Sequence, residues 1–315
     1  ASNKQPYFEA KPSQKEIDAL QQKHLAHNIK ELQRIFTIAA TANGPVHINI
    51  PMEEPLYGMT NTPIDFPVIP ELKPRVPETN YKELLSAWKS SKRKMILIGV
   101  AKPNAELATV LDTLLQDPSV VVFTEKTSNL SHPNAIGAID CLMAPLELEQ
   151  NGGEAELKPD LLLTLGGMIV SKKIKFFLRK HQALNHFHID QTKANDTFYY
   201  LSQHIHAPAE NILTALTEIS TTKSDYQFNI LSRYRNYLQK GKGYLSKIPF
   251  SDLRVFELIT QALPQNTHLQ VANSSPIRYI QLFGLPIGSD VCWVRGKVGI
   301  DGSTVTAMGA ALLNT

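Results

Sequence analysis

The chain has 315 residues, of which 43% are hydrophobic and 19% charged. That composition excludes a wholly disordered chain, and at roughly 150 residues per domain it leaves room for about two domains. Lysine and arginine total 32 against 29 acidic residues, and the resulting +3 gives no ground for expecting nucleic-acid binding. No run approaches the roughly 18 apolar residues of a membrane-spanning helix. The first residues, ASNKQPYFEAKP, lack the apolar centre of a secretory signal. Cys141 and Cys292 stand far apart without metal-ligand spacing. No disulfide framework or zinc site is expected, and a cytoplasmic protein is.

In chain order, Ile17, Leu20, Ile29, Leu32, Ile35, Phe36 and Ala39 recur at mostly helical spacing. Val46-His47-Ile48-Asn49-Ile50 then reads as a strand ended by Pro51. A helix and one strand make no core, so residues 1–58 are expected to be the end of a domain that begins elsewhere. Pro51, Pro55, Pro63, Pro67, Pro70, Pro74 and Pro77 follow. Proline lacks a backbone donor and disfavours helix in the residue before it, so residues 59–77 read as an extended linker.

Beyond the linker, apolar strands alternate with helices. A helix over 81–90 precedes the strand Met95-Ile96-Leu97-Ile98-Gly99, and a helix near 104–116 precedes Val120-Val121-Val122-Phe123. Leu161-Leu162-Leu163-Thr164-Leu165, a basic helix near 172–180 and Phe187-His188-Ile189-Asp190 come next. Strands apolar throughout, separated by helices, imply a mainly parallel sheet covered on both faces. Residues 78–222 are therefore expected to form a doubly wound α/β domain.

The polar stretch Ser220-Thr221-Thr222-Lys223-Ser224-Asp225 marks a second boundary. After it the pattern predicts helices near 226–240 and 251–263, a strand at 269–272, a helix from about 276 and a strand at 291–294. A glycine-containing loop, 295–302, then leads into a small-residue helix from near Ser303. Residues 223–315 are expected to be the first part of a further α/β domain.

Three places could carry chemistry. Asn273-Ser274-Ser275-Pro276-Ile277-Arg278 lies between a strand and a helix, where open α/β sheets bind ligands. A helix N-terminus beside the Arg278 guanidinium would suit a carboxylate or phosphate, though spacing alone favours ordinary serine capping beside a solvated arginine, since serine caps are common. Arg295 to Gly302 repeats that geometry one strand later, but it is neither a GxGxxG fingerprint nor a P-loop. Lys172 and Lys173 follow Gly166-Gly167 at another strand end. They could reach an anion or form the solvated face of a helix. The pairs His186/His188 and His204/His206 alternate along strands without a third ligand, and Glu53 and Glu54 point apart on an extended chain, so no metal site is expected.

Two phrases are more specific. Gly44-Pro45-Val46-His47-Ile48-Asn49-Ile50-Pro51-Met52-Glu53-Glu54-Pro55-Leu56-Tyr57 resembles the end of the pyrimidine-binding domain in one thiamine-diphosphate enzyme family. That family is the 2-succinyl-5-enolpyruvyl-6-hydroxy-3-cyclohexene-1-carboxylate synthases of menaquinone biosynthesis. Asn273 to Arg278, with Arg295-Gly296-x-x-Gly299-Ile300-Asp301-Gly302-Ser303-Thr304, resembles the start of the family's diphosphate-binding domain.

The resemblance implies an enzyme that decarboxylates 2-oxoglutarate on thiamine diphosphate with Mg²⁺ and adds the succinyl unit to isochorismate. It implies that Ser274, Arg278, Arg295, Lys172 and Lys173 bind substrate, and that Asn273, Ile300 and Gly302 lie against the cofactor. It also implies self-association into a dimer or tetramer. Val294 replaces an expected asparagine, and Lys173 an arginine, which loses a bidentate fork. Nothing matches the family's activating glutamate, and its Mg²⁺ motif would follow Gly309. No catalytic residue is therefore assigned, and the chain alone is expected to be an inactive fragment. The alternative is a non-catalytic Rossmann-like module for an acidic metabolite or nucleotide, and a third reading is a purely structural domain. The Val100-Ala101-Lys102-Pro103 that follows the 95–99 strand argues against a dinucleotide.

Overall fold

The structure is a computed structural model that describes residues 12–42, 45–51, 79–149, 152–294 and 302–313. It divides into two units, Ala1–Pro77 and Glu78–Thr315. In the first, helix α1 (Gln14–Ala42) starts at a capping box. Glu16 N–H donates to Ser13 Oγ at 3.4 Å, and Ser13 N–H donates back to Glu16 Oε2 at 2.8 Å. The strand expected at 46–50 does not form. Val46, Ile48 and Ile50 are exposed and pair with no strand among the described residues. Apolar alternation gives a strand only where a partner takes its backbone groups, and the described residues supply none. The proline-rich linker, 59–77, lies outside the described residues.

The second unit begins with α2 (Lys82–Ser90), β1 (Lys94–Ile98), α3 (Ala105–Leu114) and β2 (Val120–Thr124). A single 3₁₀ turn, Lys126–Ser128, follows, then β3 (Ala135–Ile136), α4 (Ile139–Leu148), α5 (Gly153–Leu157) and β4 (Leu161–Leu165). Next come α6 (Lys172–Lys180), β5 (Asn185–Ile189), β6 (Gln203–Ile205), α7 (Ala209–Thr217) and α8 (Tyr226–Leu245). The last elements are α9 (Asp252–Ala262), β7 (His268–Ala272), α10 (Ser275–Ile280), β8 (Asp290–Val294) and α11 (Gly302–Leu313).

Strands β3-β2-β1-β4-β5-β6 form one sheet in that order, with every neighbouring pair parallel. This is the doubly wound α/β arrangement implied by apolar strands alternating with helices. The period of two along each strand divides the core. Ile96, Ile98, Val120, Val122, Leu161 and Leu163 face one layer, packing with Leu84, Trp88, Leu111 and Leu213. Met95, Leu97, Val121, Phe123 and Leu162 face the other, packing with Leu142, Phe177, Ile230 and Tyr234. Helix α8, which follows the polar stretch at 220–225, is thus part of this second layer.

At the switch point between β1 and β4 the backbones touch. A Cβ on Gly99 would lie 2.1 Å from the Gly167 carbonyl oxygen, so only glycine fits there. Gly167 N–H donates to Val100 O at 2.7 Å and Val100 N–H to Met168 O at 3.2 Å. The crevice in which a doubly wound sheet would seat a pyrophosphate is bridged by these bonds.

Strands β7 and β8 form a separate two-stranded parallel sheet. Its apolar face, with Val271 and Val291, packs on Ile277, Ile280 and Val170. Asn129 joins it to the larger sheet. Its Nδ2 donates to Ala101 O at 2.8 Å and to Val291 O at 3.2 Å, while its Oδ1 accepts from Val291 N–H at 2.7 Å. Asn129 takes a left-handed conformation, φ 52°, which asparagine tolerates better than most residues.

Candidate functional site

The residues that follow β2 organise a cleft. Glu125 is 2% exposed, directly beyond the strand end. Its Oε1 accepts from Val170 N–H and Ser171 N–H, both at 2.8 Å, and its Oε2 from Val170 N–H at 2.7 Å. Burial pushes the Glu125 carboxyl up to about 7, with Asp140 adding to the rise, against the pull of the Ser171 and Val170 N–H groups and the Lys175 charge. Ser171 is the N-cap of α6, accepting from Ile174 N–H at 3.2 Å, and its hydroxyl also donates to Asp140 at the start of α4. The loop ahead of α6 is therefore held at both of its N–H groups and at its cap.

Lys172 and Lys173, in the first turn of α6, line a cleft of about 180 Å³. Opposite them stand Arg278 and Gln281 at the end of α10, and Glu125, Ile139, Asp140, Val170 and Ser171 complete the wall. Arg278 is exposed and makes no hydrogen bond or ion pair with the described residues, whereas Lys173 pairs with Glu147. Lys126 N–H donates to Gln281 Oε1 at 2.7 Å, which fixes α10 against the turn after β2. Three cations from two separate elements thus converge on one opening, beside the positive end of a nine-residue helix. Such a surface suits a ligand that carries carboxylates.

Of the expected substrate residues, the structure brings Lys172, Lys173 and Arg278 together. Asn273 and Ser274 occupy the exposed turn between β7 and α10 and do not line the cleft. Ser274 has φ 74°, a strained conformation for serine, and its side chain makes no capping bond. Gly302 opens α11, while Arg295 and Ile300 lie outside the described residues. Sequence reasoning missed Glu125, Asp140 and Gln281. Glu125 carried a usable signal, a carboxylate directly after a fully apolar strand, and the other two carried none. A larger groove of about 720 Å³ between α8, α9 and residues 282–284 contains none of the expected residues.

Among the described residues, one group has ligand types close enough to hold a metal ion: His268, Asp290 and Cys292, on neighbouring strands. Spacing could not reveal it, because its members come from two strands. Its imidazole is already engaged at both nitrogens, with Asp290 Oδ2 at 2.7 Å and Gln270 Nε2 at 2.6 Å. The mixed nitrogen, sulfur and oxygen set does not fit Mg²⁺, which takes oxygen ligands. That group is therefore no seat for the Mg²⁺ of a diphosphate.

No family model matches the chain. Individual proteins do. The chain is 44% identical over 291 residues to the 2-succinyl-5-enolpyruvyl-6-hydroxy-3-cyclohexene-1-carboxylate synthase of Flavobacterium johnsoniae, a match that covers 90% of the chain and 52% of that protein. Those from Flavobacterium psychrophilum and Christiangramia forsetii are 40% and 39% identical, over 92% and 95% of the chain. This chain is a relative of these synthases. It spans about half the length of the curated relatives it matches. The kinship reaches well beyond the two phrases that first suggested it, since nine-tenths of the chain aligns. No helix among the described residues is long and apolar enough to cross a membrane.

Proposed function

We propose that this chain supplies part of a 2-succinyl-5-enolpyruvyl-6-hydroxy-3-cyclohexene-1-carboxylate synthase, and that its cleft holds a carboxylate-bearing substrate. The overall reaction would be decarboxylation of 2-oxoglutarate on thiamine diphosphate with Mg²⁺ and addition of the succinyl unit to isochorismate, in menaquinone biosynthesis. When bound, thiamine diphosphate supplies an electron sink for the carbon that loses carboxylate. The role of this chain is electrostatic and positional: Lys172, Lys173 and Arg278 bind and orient carboxylates, while Glu125 and Asp140 hold the loop that presents the two lysines. Ser274, Arg295, Asn273, Ile300 and Gly302 remain proposed contacts of substrate or cofactor. The division at 1–58, 59–77, 78–222 and 223–315, the cytoplasmic location and assembly into a dimer or tetramer belong to the same reading. Light scattering tests the last of these.

The observation that carries the proposal is the convergence of Lys172, Lys173 and Arg278 on one cleft, in a chain related to enzymes of this name. The bridged switch point, by contrast, favours no nucleotide. The test is calorimetric titration with isochorismate and with 2-oxoglutarate, on wild type and on Arg278→Gln. Loss of a charge-assisted contact should weaken binding of an acid by about tenfold or more. Equal affinity in the two proteins would sink the assignment.

A further inference from the structure

Gln281 is 8% exposed, lines the cation-rich cleft, and has an Nε2 that is buried without a hydrogen-bond partner. Its amide cannot be turned round to cure this. Lys126 N–H is a donor only, and it lies 2.7 Å from Gln281 Oε1, so the oxygen must face Lys126. The NH₂ is thereby held on the other side. A buried amide donor left unpaired is costly, and such groups are rare in folded proteins unless a ligand completes them. Gln281 stands one helical turn beyond Arg278, since residues three apart share a helix face.

We infer that Gln281 is a substrate-binding residue whose NH₂ donates a hydrogen bond to an acceptor oxygen of the acidic ligand held by Arg278 and Lys172. This rests on the reading of the cleft as a carboxylate site and adds a selective element to it. Lysine and arginine attract any anion by charge. A fixed, buried, uncharged donor instead requires an acceptor at one place, and rejects a ligand that puts an apolar group or another donor there. The acceptors that fit in this chemistry are the carboxylate, carbonyl and hydroxyl oxygens of 2-oxoglutarate and isochorismate, and each acid is tried separately.

The test uses the full chain and Gln281→Glu, which keeps an oxygen for Lys126 N–H and replaces the donor by an acceptor. Titrations with 2-oxoglutarate and with isochorismate are run at low salt and at about 1 M salt, where the Debye length falls to about 3 Å. The variant should bind one of the two acids about ten- to a hundredfold more weakly than wild type, and the ratio should persist at high salt, when the added charge is screened. In protein labelled with ¹⁵N-glutamine, the Gln281 side-chain NH₂ resonances should shift and exchange more slowly on saturation with that acid. If Arg278→Gln weakens binding while Gln281→Glu does not and the NH₂ resonances stay put, the inference is wrong and the cleft assignment survives. If wild type binds neither acid, both fall.

Discussion

Two buried groups bind protons in opposite senses, and their opposition predicts a flat pH dependence that one substitution should tilt. Glu125 has its carboxyl pushed up to about 7 by burial, from an ordinary 4.5. The folded state therefore holds that proton more tightly than the unfolded state does. Its contribution to stability is complete below about 4.5 and is lost as pH rises through about 7. His186 is 1% exposed, and burial, helped by the neighbouring His188, pushes its imidazole down to about 4 from 6.5. Its contribution is complete above 6.5 and is lost as pH falls through about 4. Each shift corresponds to about 3 kcal/mol across its window. Between pH 4.5 and 6.5 the two slopes oppose each other and nearly cancel. Glu125→Gln removes one of them, so its unfolding free energy should climb by about 3 kcal/mol from pH 4 to 6.5. His188, whose pKa is also lowered by burial, steepens the climb. In His186→Gln the Glu125 slope remains, opposed by His188 and, at the acid end of the range, by the lowered carboxylates Glu149 and Glu154, and stability should decline toward pH 7. Urea unfolding followed by the fluorescence of buried Trp88, at intervals across that range, measures both profiles. A Glu125→Gln profile parallel to wild type would refute the reasoning.

Two further substitutions probe the scaffold. Lys94 is fully buried, with Nζ 2.9 Å from Asp117 and 5.1 Å from the Trp88 ring. Asp117→Ala should cost about 3–5 kcal/mol in urea unfolding, because it leaves that charge uncompensated, and adding Lys94→Met should restore part of the loss. Asn129→Ala should cost about 1–3 kcal/mol by freeing the Val291 backbone from the larger sheet. Hydrogen exchange should then quicken at Val291 but not along β1 or β4.

The central sheet was legible because its strands are apolar on both faces, which only a covered parallel sheet allows. Met95 and Ile96 go to opposite layers, yet both are buried, so pattern and structure agree without knowledge of the strand order. The short β3 escaped notice, since two residues carry no period, whereas β6 showed only through the alternation of His204 and His206. Residues 46–50 misled for the converse reason: their alternation was real, but a strand is a pairing and the described residues offer no partner. At the cleft, Lys172, Lys173 and Arg278 were legible as charges at strand-to-helix junctions. That they share one opening followed from the resemblance and not from spacing, because α6 and α10 meet through hydrogen bonds between residues distant in sequence.

Those bonds concentrate in one short segment. Glu125 reaches the loop before α6 through its carboxylate, Lys126 reaches Gln281 on α10 through its N–H, and Asn129 reaches β8 through both ends of its amide. The turn is itself anchored to β1, since Ser128 Oγ donates to Ile98 O at 2.7 Å and accepts from Glu125 N–H at 2.9 Å. Five residues beyond β2 thus set the distance between the lysines and the arginine. If that distance matters for an acid held between them, a change at the joint should weaken binding with every cation still in place. Asn129→Ala should then lower affinity for the acid that Arg278 helps to hold, by less than the removal of Arg278 does. Calorimetric titration of the two variants side by side decides it: unchanged affinity in Asn129→Ala would mean that the cleft keeps its width through Glu125 and Lys126 alone.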